Sequence, residues 1–347
     1  MASLDNILMD RREFLYSAGC MSAAIFLEHS FFSHPLLMKK NLDEKLERET
    51  REVFSRIIQR ALKEGWESLP IGQCMGEIGT MLIGTEYVAG TLEGEGPEIC
   101  RVDLTGLDCV TFFENALCLA RIIKKGRTNF ADFIEELTYT RYRKGILTDY
   151  TSRLHYTSDW IYDNEKKRVI KDITRDIGGQ IFPVEVSFMS RNPQYYPALM
   201  EFPEFIMTIA GIEQEINRRE HWFIPQKRIR KAQEYLQTGD IIAVATNKKG
   251  LDYAHTGVVL RDENENVRLL HASLKQKKVL LDTELYRYIQ SVETHIGITI
   301  ARPCSVSNPI ELKHDHPDYC CHDEVIGHGN ERFPDKKPLS FEQTDNR

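Results

Sequence analysis

The chain has 347 residues, of which 41% are hydrophobic, and its formal net charge is -7 at pH 7. This length allows one large domain or two ordinary ones, and the apolar content is sufficient for a packed core. Lysine and arginine are scattered along the chain, so a nucleic-acid partner and a lasting attachment to an anionic membrane are not expected. The 8 cysteines form no CxxC pair, which argues against a zinc ribbon or a disulfide scaffold.

The first forty residues have the pattern of an export signal. Residues 10–16 resemble the twin-arginine motif, with Arg11 and Arg12 side by side. Residues 14–27 form an apolar segment that is too short to span a bilayer comfortably. The alternative is a short N-terminal helix in a cytoplasmic protein. We expect residues 1–40 to be a twin-arginine-type signal and the protein to be periplasmic, with no stable membrane insertion beyond that segment.

Two segments lie between the signal and the first cysteine motif. Residues 41–65 predict an amphipathic helix, because apolar residues such as Leu46, Val53 and Ile57 recur at helical spacing before Gly65. Residues 66–106 are rich in glycine and broken into short pieces, a pattern typical of loops that line a site. We therefore expect the first of these segments to contribute packing rather than function.

The residues around Cys109 predict a helix that carries a thiol at its N-terminus. Asp108 is a suitable N-cap, apolar residues then recur at helical spacing, and Gly126 ends the run. Unpaired backbone N–H groups and the positive end of the helix dipole favour thiolate over thiol, and the thiolate is the reactive form. The same N–H groups could hold an oxyanion on a substrate carbonyl. The alternative interpretation is a small buried structural cysteine.

The middle of the chain predicts a mainly helical insertion over about 128–237. A helical stretch over 129–143 precedes residues 152–160, whose hydrogen-bonding and aromatic side chains suit either a ligand wall or a surface helix with one buried tryptophan. Residues 184–190 alternate like a strand, and residues 201–237 return to helical spacing.

The final third of the chain predicts an antiparallel sheet, with strand-like runs at residues 239–245, 253–260 and 267–273. A hairpin centred on Asn264 would place His255 opposite position 271 or 272. We therefore expect His255 and His271 to be near neighbours on adjacent strands.

The last forty residues, 308–347, are polar and contain several prolines, so we expect a tail that is wrapped on the surface or disordered. Six side chains there are of the types that bind zinc, but their spacing matches no known site, and solvated tail residues are the simpler interpretation. We predict no metal and no cofactor. The six residues are His314, His316, Cys320, Cys321, His322 and His328.

A helix with Cys109 at its tip, followed by a sheet with two histidines, is the order of parts in a papain-like cysteine hydrolase. Cys109 would attack as a thiolate, and His255 would take its proton and later protonate the leaving amine. His271 would hydrogen-bond the far ring nitrogen of His255 and so fix its tautomer and orientation.

Six segments, taken together and in order, resemble the N-acetylmuramoyl-L-alanine amidase-like branch of the NlpC-type cell-wall cysteine hydrolases. The resemblance runs from about residue 66 to residue 303. The segments are GTEYVAGTLE at 84–93, LDCVTFFE at 107–114, SRLHYTSDW at 152–160, GDII at 239–242, GLDYAHTG at 250–257 and LLHAS at 269–273.

The resemblance implies an α+β, papain-like NlpC-type fold with a catalytic domain over 66–307. It also implies that Cys109 is the nucleophile, His255 the general base and His271 the orienting residue, with Tyr87 close to the nucleophile. We expect further substrate contacts from Arg153, His155, Asp159 and Ser187.

Three positions depart from the usual pattern of this branch. Glu86 stands where proline is usual, Leu107 replaces an aromatic residue, and Thr256 takes a place often held by valine. None of these changes removes a chemical group that the mechanism needs.

The implied substrate is a peptidoglycan fragment, and the implied reaction is hydrolysis of the amide between N-acetylmuramic acid and L-alanine, in cell-wall turnover or recycling. Two alternatives share the fold: a γ-D-glutamyl-diamino acid endopeptidase with the same triad, and a non-catalytic muropeptide-binding module. Fold and triad do not separate the two cleavage sites, because specificity depends on the shape of the groove. The preferred glycan and peptide lengths and the oligomeric state stay open.

Overall fold

The computed structural model describes the backbone of residues 35–306 and the side chains of residues 43–306. The expected signal motif and the expected C-terminal tail with its histidines and cysteines lie outside the described residues. The first helix begins at Pro35, earlier than the start at residue 41 that the sequence predicts. No helix in the described part of the chain is both long and apolar enough to cross a membrane.

Ten helices and ten strands make up the described fold. The helices are α1 (Pro35–Glu64), α2 (Ile71–Met81), α3 (Cys109–Lys124), α4 (Phe130–Arg141), α5 (Thr157–Lys166), α6 (Phe188–Arg191), α7 (Pro197–Glu201), α8 (Glu204–Asn217), α9 (Ile229–Ala232) and α10 (Leu285–Gln290). The strands are β1 (Glu86–Tyr87), β2 (Gly106–Leu107), β3 (Ile170–Asp172), β4 (Gln180–Ile181), β5 (Trp222–Pro225), β6 (Ile241–Thr246), β7 (Tyr253–Arg261), β8 (Val267–Ser273), β9 (Lys278–Glu284) and β10 (His295–Pro303).

The strands form one large sheet in the order β2-β1-β9-β8-β7-β6-β10-β5-β4, with β3 paired to β10. Strands β6, β7 and β8 pair in antiparallel fashion, as the sequence predicts, and β9, which was not predicted, pairs with β8 in the same way. Helices cover the sheet, so the prediction of an α+β fold is confirmed at this level.

Helix α3 is the buried centre of the molecule. Every residue from Thr111 to Ile123 is buried, which is the pattern of a helix surrounded by core on all sides. It packs between α2 and α4 and against β7. Its end matches the expectation from Gly126: this glycine has a φ of 66°, and Arg127 N–H donates to the carbonyl of Ile122 at 2.9 Å, which closes a Schellman motif.

The inserted segment is less helical than the sequence predicts. Three short strands, β3, β4 and β5, interrupt the helices and join the sheet at and beside β10. The strand expected over 184–190 is absent, and α6 begins within it. The side-chain amide of Asn217 explains why no strand forms there. It hydrogen-bonds the N–H and the carbonyl of Val186 at 2.8 and 2.9 Å. These backbone groups therefore need no neighbouring strand as a partner.

The β7–β8 hairpin differs by one residue from the predicted register. Val258 pairs with Leu270, and the ladder ends there. Its continuation would place position 273, rather than 271 or 272, opposite His255. His271 is then the diagonal neighbour on the same face of the sheet, within reach of a long side chain. The two histidines are therefore close together, as expected, although the predicted register is wrong by one residue.

Two glycines allow α2 to touch the turn before β6. Gly239 has a φ of 92°, and a Cβ on it would lie 2.2 Å from the Cα of Gly72. We predict that Gly239→Ala lowers the free energy of unfolding by about 3 kcal/mol, because both the left-handed backbone and the contact resist a side chain. Urea unfolding measures this effect.

Gly211→Ala is the matched control. Gly211 is exposed inside α8, and a Cβ there would meet nothing within 4 Å. This variant should gain up to about 1 kcal/mol from helix propensity. Equal urea midpoints for Gly239→Ala and Gly211→Ala would contradict the close contact between Gly239 and Gly72.

Candidate active site

A cavity of about 170 Å³ opens at the N-terminus of α3. Tyr87, Cys109 and His255 line one side of it, and these residues come from β1, α3 and β7. Residues of the insertion, among them Tyr156, Met189 and Tyr196, line the other side. The fold therefore brings the helix tip, the sheet and the insertion together around one space.

The position of Cys109 is fixed by hydrogen bonds on both sides. Asp108 caps α3: its carboxylate accepts from Val110 N–H at 3.0 Å and from Thr111 N–H at 2.8 Å, and the Thr111 hydroxyl accepts from Asp108 N–H. The hydroxyl of Thr256 on β7 donates to the carbonyl of Cys109 at 2.8 Å. The predicted cap is thus present, and a side chain of the sheet holds the first residue of the helix.

Burial opposes the thiolate that the helix terminus was expected to favour. Cys109 is 4% exposed, and desolvation together with the charge of Asp108 raises the pKa of its thiol to about 12, although hydrogen bonds from Thr256 lower it. A charged sulfur loses its hydration in such a site. Burial of Cys109 therefore favours the neutral thiol over the thiolate.

His255 and His271 form the expected pair. Nε2 of His255 lies 2.6 Å from Nδ1 of His271, and the rings are nearly perpendicular, with centroids 4.8 Å apart. Burial first, and then the proximity of His271 and His295, hold the pKa of His255 well below its usual value. His255 is therefore neutral at pH 7, and its Nδ1 is the ring nitrogen that His271 leaves unoccupied.

Asp282 is a further member of this site that was not predicted from the sequence. Nε2 of His271 lies 3.2 Å from Oδ2 of Asp282 on β9, so the chain of contacts runs from His255 through His271 to a carboxylate. The hydrogen bond to His271 lowers the pKa of Asp282. Recognising β9 as the partner of β8 would have revealed this residue, because His271 pairs with Leu280 and Asp282 lies two positions further on the same face.

An aromatic side chain from α10 covers the two histidines. The ring of Tyr288 lies 5.0 Å from that of His271 and 5.9 Å from that of His255. On its other side Tyr288 approaches His295, at 5.8 Å between centroids. Neither Tyr288 nor His295 was identified from the sequence, because no motif marks them.

Three other expected site residues line the cavity. Tyr87 lies close enough to Cys109 and Asp108 that, after burial, their charges help raise the pKa of its phenol. Arg153 donates to the carbonyl of Leu92 at 3.0 Å and to the Glu93 carboxylate at 2.7 Å. His155 Nε2 lies 2.8 Å from the carbonyl of Tyr150, and burial keeps its pKa well below its usual value.

The structure places Asp159 and Ser187 away from the cavity lining, contrary to expectation. Asp159 is 1% exposed, and its carboxylate binds Arg143 at 2.7 Å and Arg219 at 2.6 Å. Ser187 precedes α6, and its N–H donates to the carbonyl of Gly250 at 3.1 Å. Asp159 is thus held by ion pairs within the insertion, and the backbone of Ser187 is paired with Gly250 outside it.

A buried glutamate fixes the wall on the insertion side. Glu213 is 3% exposed and accepts from the Tyr156 hydroxyl at 2.7 Å. The same hydroxyl accepts from Met189 N–H at 3.0 Å. Glu213 therefore links α8 to two residues that face the cavity, a role that the sequence did not suggest.

Within residues 43–306, no cluster of three or more histidine, cysteine, aspartate or glutamate side chains is placed to hold a metal ion. The histidine and cysteine residues of the C-terminal segment lie outside the described residues.

The sequence of residues 77–298 matches the family model of N-acetylmuramoyl-L-alanine amidase-like proteins. This match spans more than half of the chain. The chain belongs to the N-acetylmuramoyl-L-alanine amidase-like family. Membership supports a hydrolase that acts on peptidoglycan as an amidase. No curated protein matches the chain by sequence.

Solved structures agree with this family. An N-acetylmuramoyl-L-alanine amidase from Bacteroides uniformis is 32% identical, with a TM-score of 0.64 over 67% of this chain and 98% of its own. A Bacteroides fragilis protein named as a candidate xylanase is 33% identical, with a TM-score of 0.61 over 65% of this chain and 98% of its own. Protein LPG0564 from Legionella pneumophila shares the fold, at 20% identity and a TM-score of 0.57 over 76% of this chain and 98% of its own.

We predict that Thr256→Val lowers the free energy of unfolding by about 1 kcal/mol, the typical net value of one hydrogen bond. It should also slow alkylation of Cys109 by iodoacetamide, because the hydroxyl that lowers the thiol pKa is lost. Thr256→Ser keeps a hydroxyl and should resemble the wild type. Peptide mass spectrometry distinguishes Cys109 from the other cysteines, and an unchanged rate in the valine variant would contradict this role.

His295 makes stability depend on pH. It is 6% exposed, its Nδ1 has no hydrogen-bond partner among the described residues, and burial lowers its pKa from 6.5 to about 4. Below pH 6.5 the unfolded chain binds the proton more readily, so stability is lost as the pH falls towards 4. We predict that wild type loses about 2 kcal/mol more than His295→Gln between pH 7 and pH 5. If the free energies of unfolding of wild type and His295→Gln change in parallel with pH, this role of His295 is refuted.

Proposed function

We propose that the protein is a cysteine amidase that hydrolyses the amide between the lactyl group of N-acetylmuramic acid and L-alanine in muropeptides. One observation carries the proposal: Cys109 at the helix tip shares a cavity with His255, whose far nitrogen is 2.6 Å from His271. This order, a cysteine helix followed by an antiparallel sheet with the histidines, is also the basis on which we assign the papain-like NlpC-type branch.

The geometry suggests the following reaction. Sγ of Cys109 attacks the carbonyl carbon of the lactyl group while its proton passes to Nδ1 of His255. In this proposal the backbone N–H of Cys109 and the Tyr87 hydroxyl hold the resulting oxyanion, because the N–H groups of Val110 and Thr111 are used by the Asp108 cap. Collapse of this intermediate breaks the C–N bond, and His255 protonates the departing amine of L-alanine. Water, activated by His255, then hydrolyses the thioester and restores the thiol.

The electrostatics favour proton transfer during attack over a preformed ion pair. The thiol pKa is raised and the His255 pKa is lowered, so both groups are neutral before substrate binds. A neutral imidazole can accept the proton, and His271 stabilises the ring orientation at that moment.

The cavity size suggests which part of the substrate enters. About 170 Å³ is close to the volume of an engineered cavity that holds a benzene molecule. The lactyl–alanine linkage fits such a space, while the sugar and the rest of the peptide lie outside it. A cavity walled by the insertion suits the end of a soluble fragment, in keeping with a role in cell-wall turnover or recycling.

A glycosidic cleavage fits the cavity less well. Such reactions need two available carboxylates, whereas each carboxylate on this wall already has partners. Glu114, for example, accepts from Arg141 at 2.8 Å and from Trp160 at 3.0 Å. Asp252 accepts from the N–H groups of Ser158 and Tyr253.

The site of action that we propose is the periplasm, reached through the twin-arginine-type segment at the N-terminus. The substrate is then a peptidoglycan fragment released from the wall. The γ-D-glutamyl endopeptidase and the non-catalytic binding module are the alternatives that the following experiment separates.

The test uses wild type, Cys109→Ala and a matched control, Cys118→Ala. Cys118 lies on the same helix, is buried, and contacts Thr140 at 3.1 Å outside the cavity lining. We predict that wild type and Cys118→Ala release free tetrapeptide from a disaccharide tetrapeptide, and that Cys109→Ala loses at least about 1,000-fold in rate. Mass spectrometry identifies the products.

Each other product pattern has a defined meaning. A dipeptide-bearing disaccharide would move the cut to the γ-D-glutamyl bond. Binding without turnover, measured by calorimetry on wild type, would favour the non-catalytic module. Equal turnover by wild type and Cys109→Ala would refute the cysteine mechanism.

A further inference from the structure

Both nitrogens of His271 and both oxygens of Asp282 have partners. His271 faces His255 through Nδ1 at 2.6 Å and Asp282 through Nε2 at 3.2 Å. Asp282 uses Oδ2 for this contact, and its Oδ1 accepts from Thr283 N–H at 2.6 Å. His271 itself is 1% exposed, so its two ring nitrogens are shielded from bulk solvent.

These partners leave one consistent placement of protons when both rings are neutral. An ionised carboxylate only accepts, so His271 must donate from Nε2 and its Nδ1 carries a lone pair. His255 must then donate from Nε2 to that lone pair. The remaining lone pair of His255 is on Nδ1, the nitrogen that takes the proton of Cys109 in the proposed reaction.

We propose that Asp282 is a positioning residue that selects, through His271, the tautomer of His255 able to accept a proton from Cys109. This inference rests on the proposed function, because the choice of tautomer matters for the reaction in which His255 accepts the proton of Cys109. Asp282 contacts neither the nucleophile nor the cavity. It lies in a separate surface groove with Arg268, Arg287 and Asp262.

The surroundings of Asp282 keep it ionised. Its hydrogen bond to His271 is the largest cause of its lowered pKa, and Thr283 N–H and the charge of Arg268 act in the same direction. Desolvation of the carboxylate opposes ionisation, but these interactions outweigh it and the pKa of Asp282 stays below its usual value. An acceptor at this position is therefore maintained at neutral pH.

The decisive comparison is Asp282→Asn against Asp282→Ala. In the asparagine variant the amide oxygen is drawn to Thr283 N–H, which leaves the NH₂ group facing Nε2 of His271. His271 must then carry its proton on Nδ1, and His255 must carry its own on Nδ1 as well. The alanine variant lacks the carboxylate acceptor but introduces no donor, so a water molecule can accept the hydrogen bond from Nε2 of His271.

We expect asparagine to be the more damaging substitution, with a loss in kcat of about 100-fold or more against about tenfold for alanine. A merely structural role would give the opposite order, since asparagine preserves shape. Asp262→Asn, at an exposed turn in the same groove, is the matched control and should keep the wild-type kcat.

The second measurement does not depend on the substrate. Long-range ¹H–¹⁵N correlation spectra of ¹⁵N-histidine-labelled protein report which ring nitrogen carries the proton, with His255→Gln and His271→Gln spectra for assignment. Wild type should show both rings protonated on Nε2 alone, and Asp282→Asn should show both protonated on Nδ1.

The outcomes separate the two proposals. The expected tautomers in a protein without amidase turnover would uphold the role of Asp282 in tautomer selection and refute the proposed function. Wild-type rings protonated on Nδ1, or a doubly protonated His271, would overturn the inference even if turnover is observed. An alanine variant as impaired as the asparagine variant would also overturn it.

Discussion

The hydrogen bond from Thr256 to the carbonyl of Cys109 is the constraint on which the site depends. Its donor is the residue next to His255 on β7, and its acceptor is the first residue of α3. A helix whose sides are buried from Thr111 to Ile123 could slide along the sheet if only apolar contacts held it, because such contacts are not directional. The Thr256 bond is directional, and it ties the tip of α3 to β7 beside His255.

The same burial that makes the scaffold rigid sets the chemistry of the site. Desolvation disfavours the charged form of every titratable group, so it raises the pKa of Cys109 and lowers those of His255 and His295. A helix N-terminus contributes only a few partial charges, and here they do not compensate for the lost hydration. Burial therefore favours the uncharged forms of Cys109 and His255, while the charged side chains that line the cavity, such as Arg141 and Glu114, are paired with one another.

Much of this arrangement could be predicted from sequence because it depends on local patterns. The cap at Asp108, the end of α3 at Gly126 and the strands around His255 and His271 are all encoded within a few residues of one another. The register was wrong by one position, yet the two histidines still met, because a diagonal pair on one sheet face tolerates such an error.

The parts that were missed depend on long-range contacts. Asp282 acquires its role through the pairing of β8 with β9, and Glu213 through a fold of the insertion that brings α8 against Tyr156. Asp159 and Ser187 were expected in the cavity, but the Asp159 carboxylate pairs with Arg143 and Arg219, and the backbone of Ser187 pairs with Gly250. Local spacing does not reveal which side of an element faces a ligand.

The insertion has its own small hydrophobic cluster, which includes Tyr156, Val186, Leu199, Ile209 and Ile216 and is separate from the two clusters that flank the sheet. Four of its members, Tyr150, Tyr156, Met189 and Tyr196, also face the cavity. Evolution can therefore repack this cluster and reshape the entrance while the strands that carry the histidines stay unchanged. Under the proposed function, substrate choice and bond cleavage are separable in this architecture, because substitutions confined to the cluster would alter the entrance and spare the histidine strands.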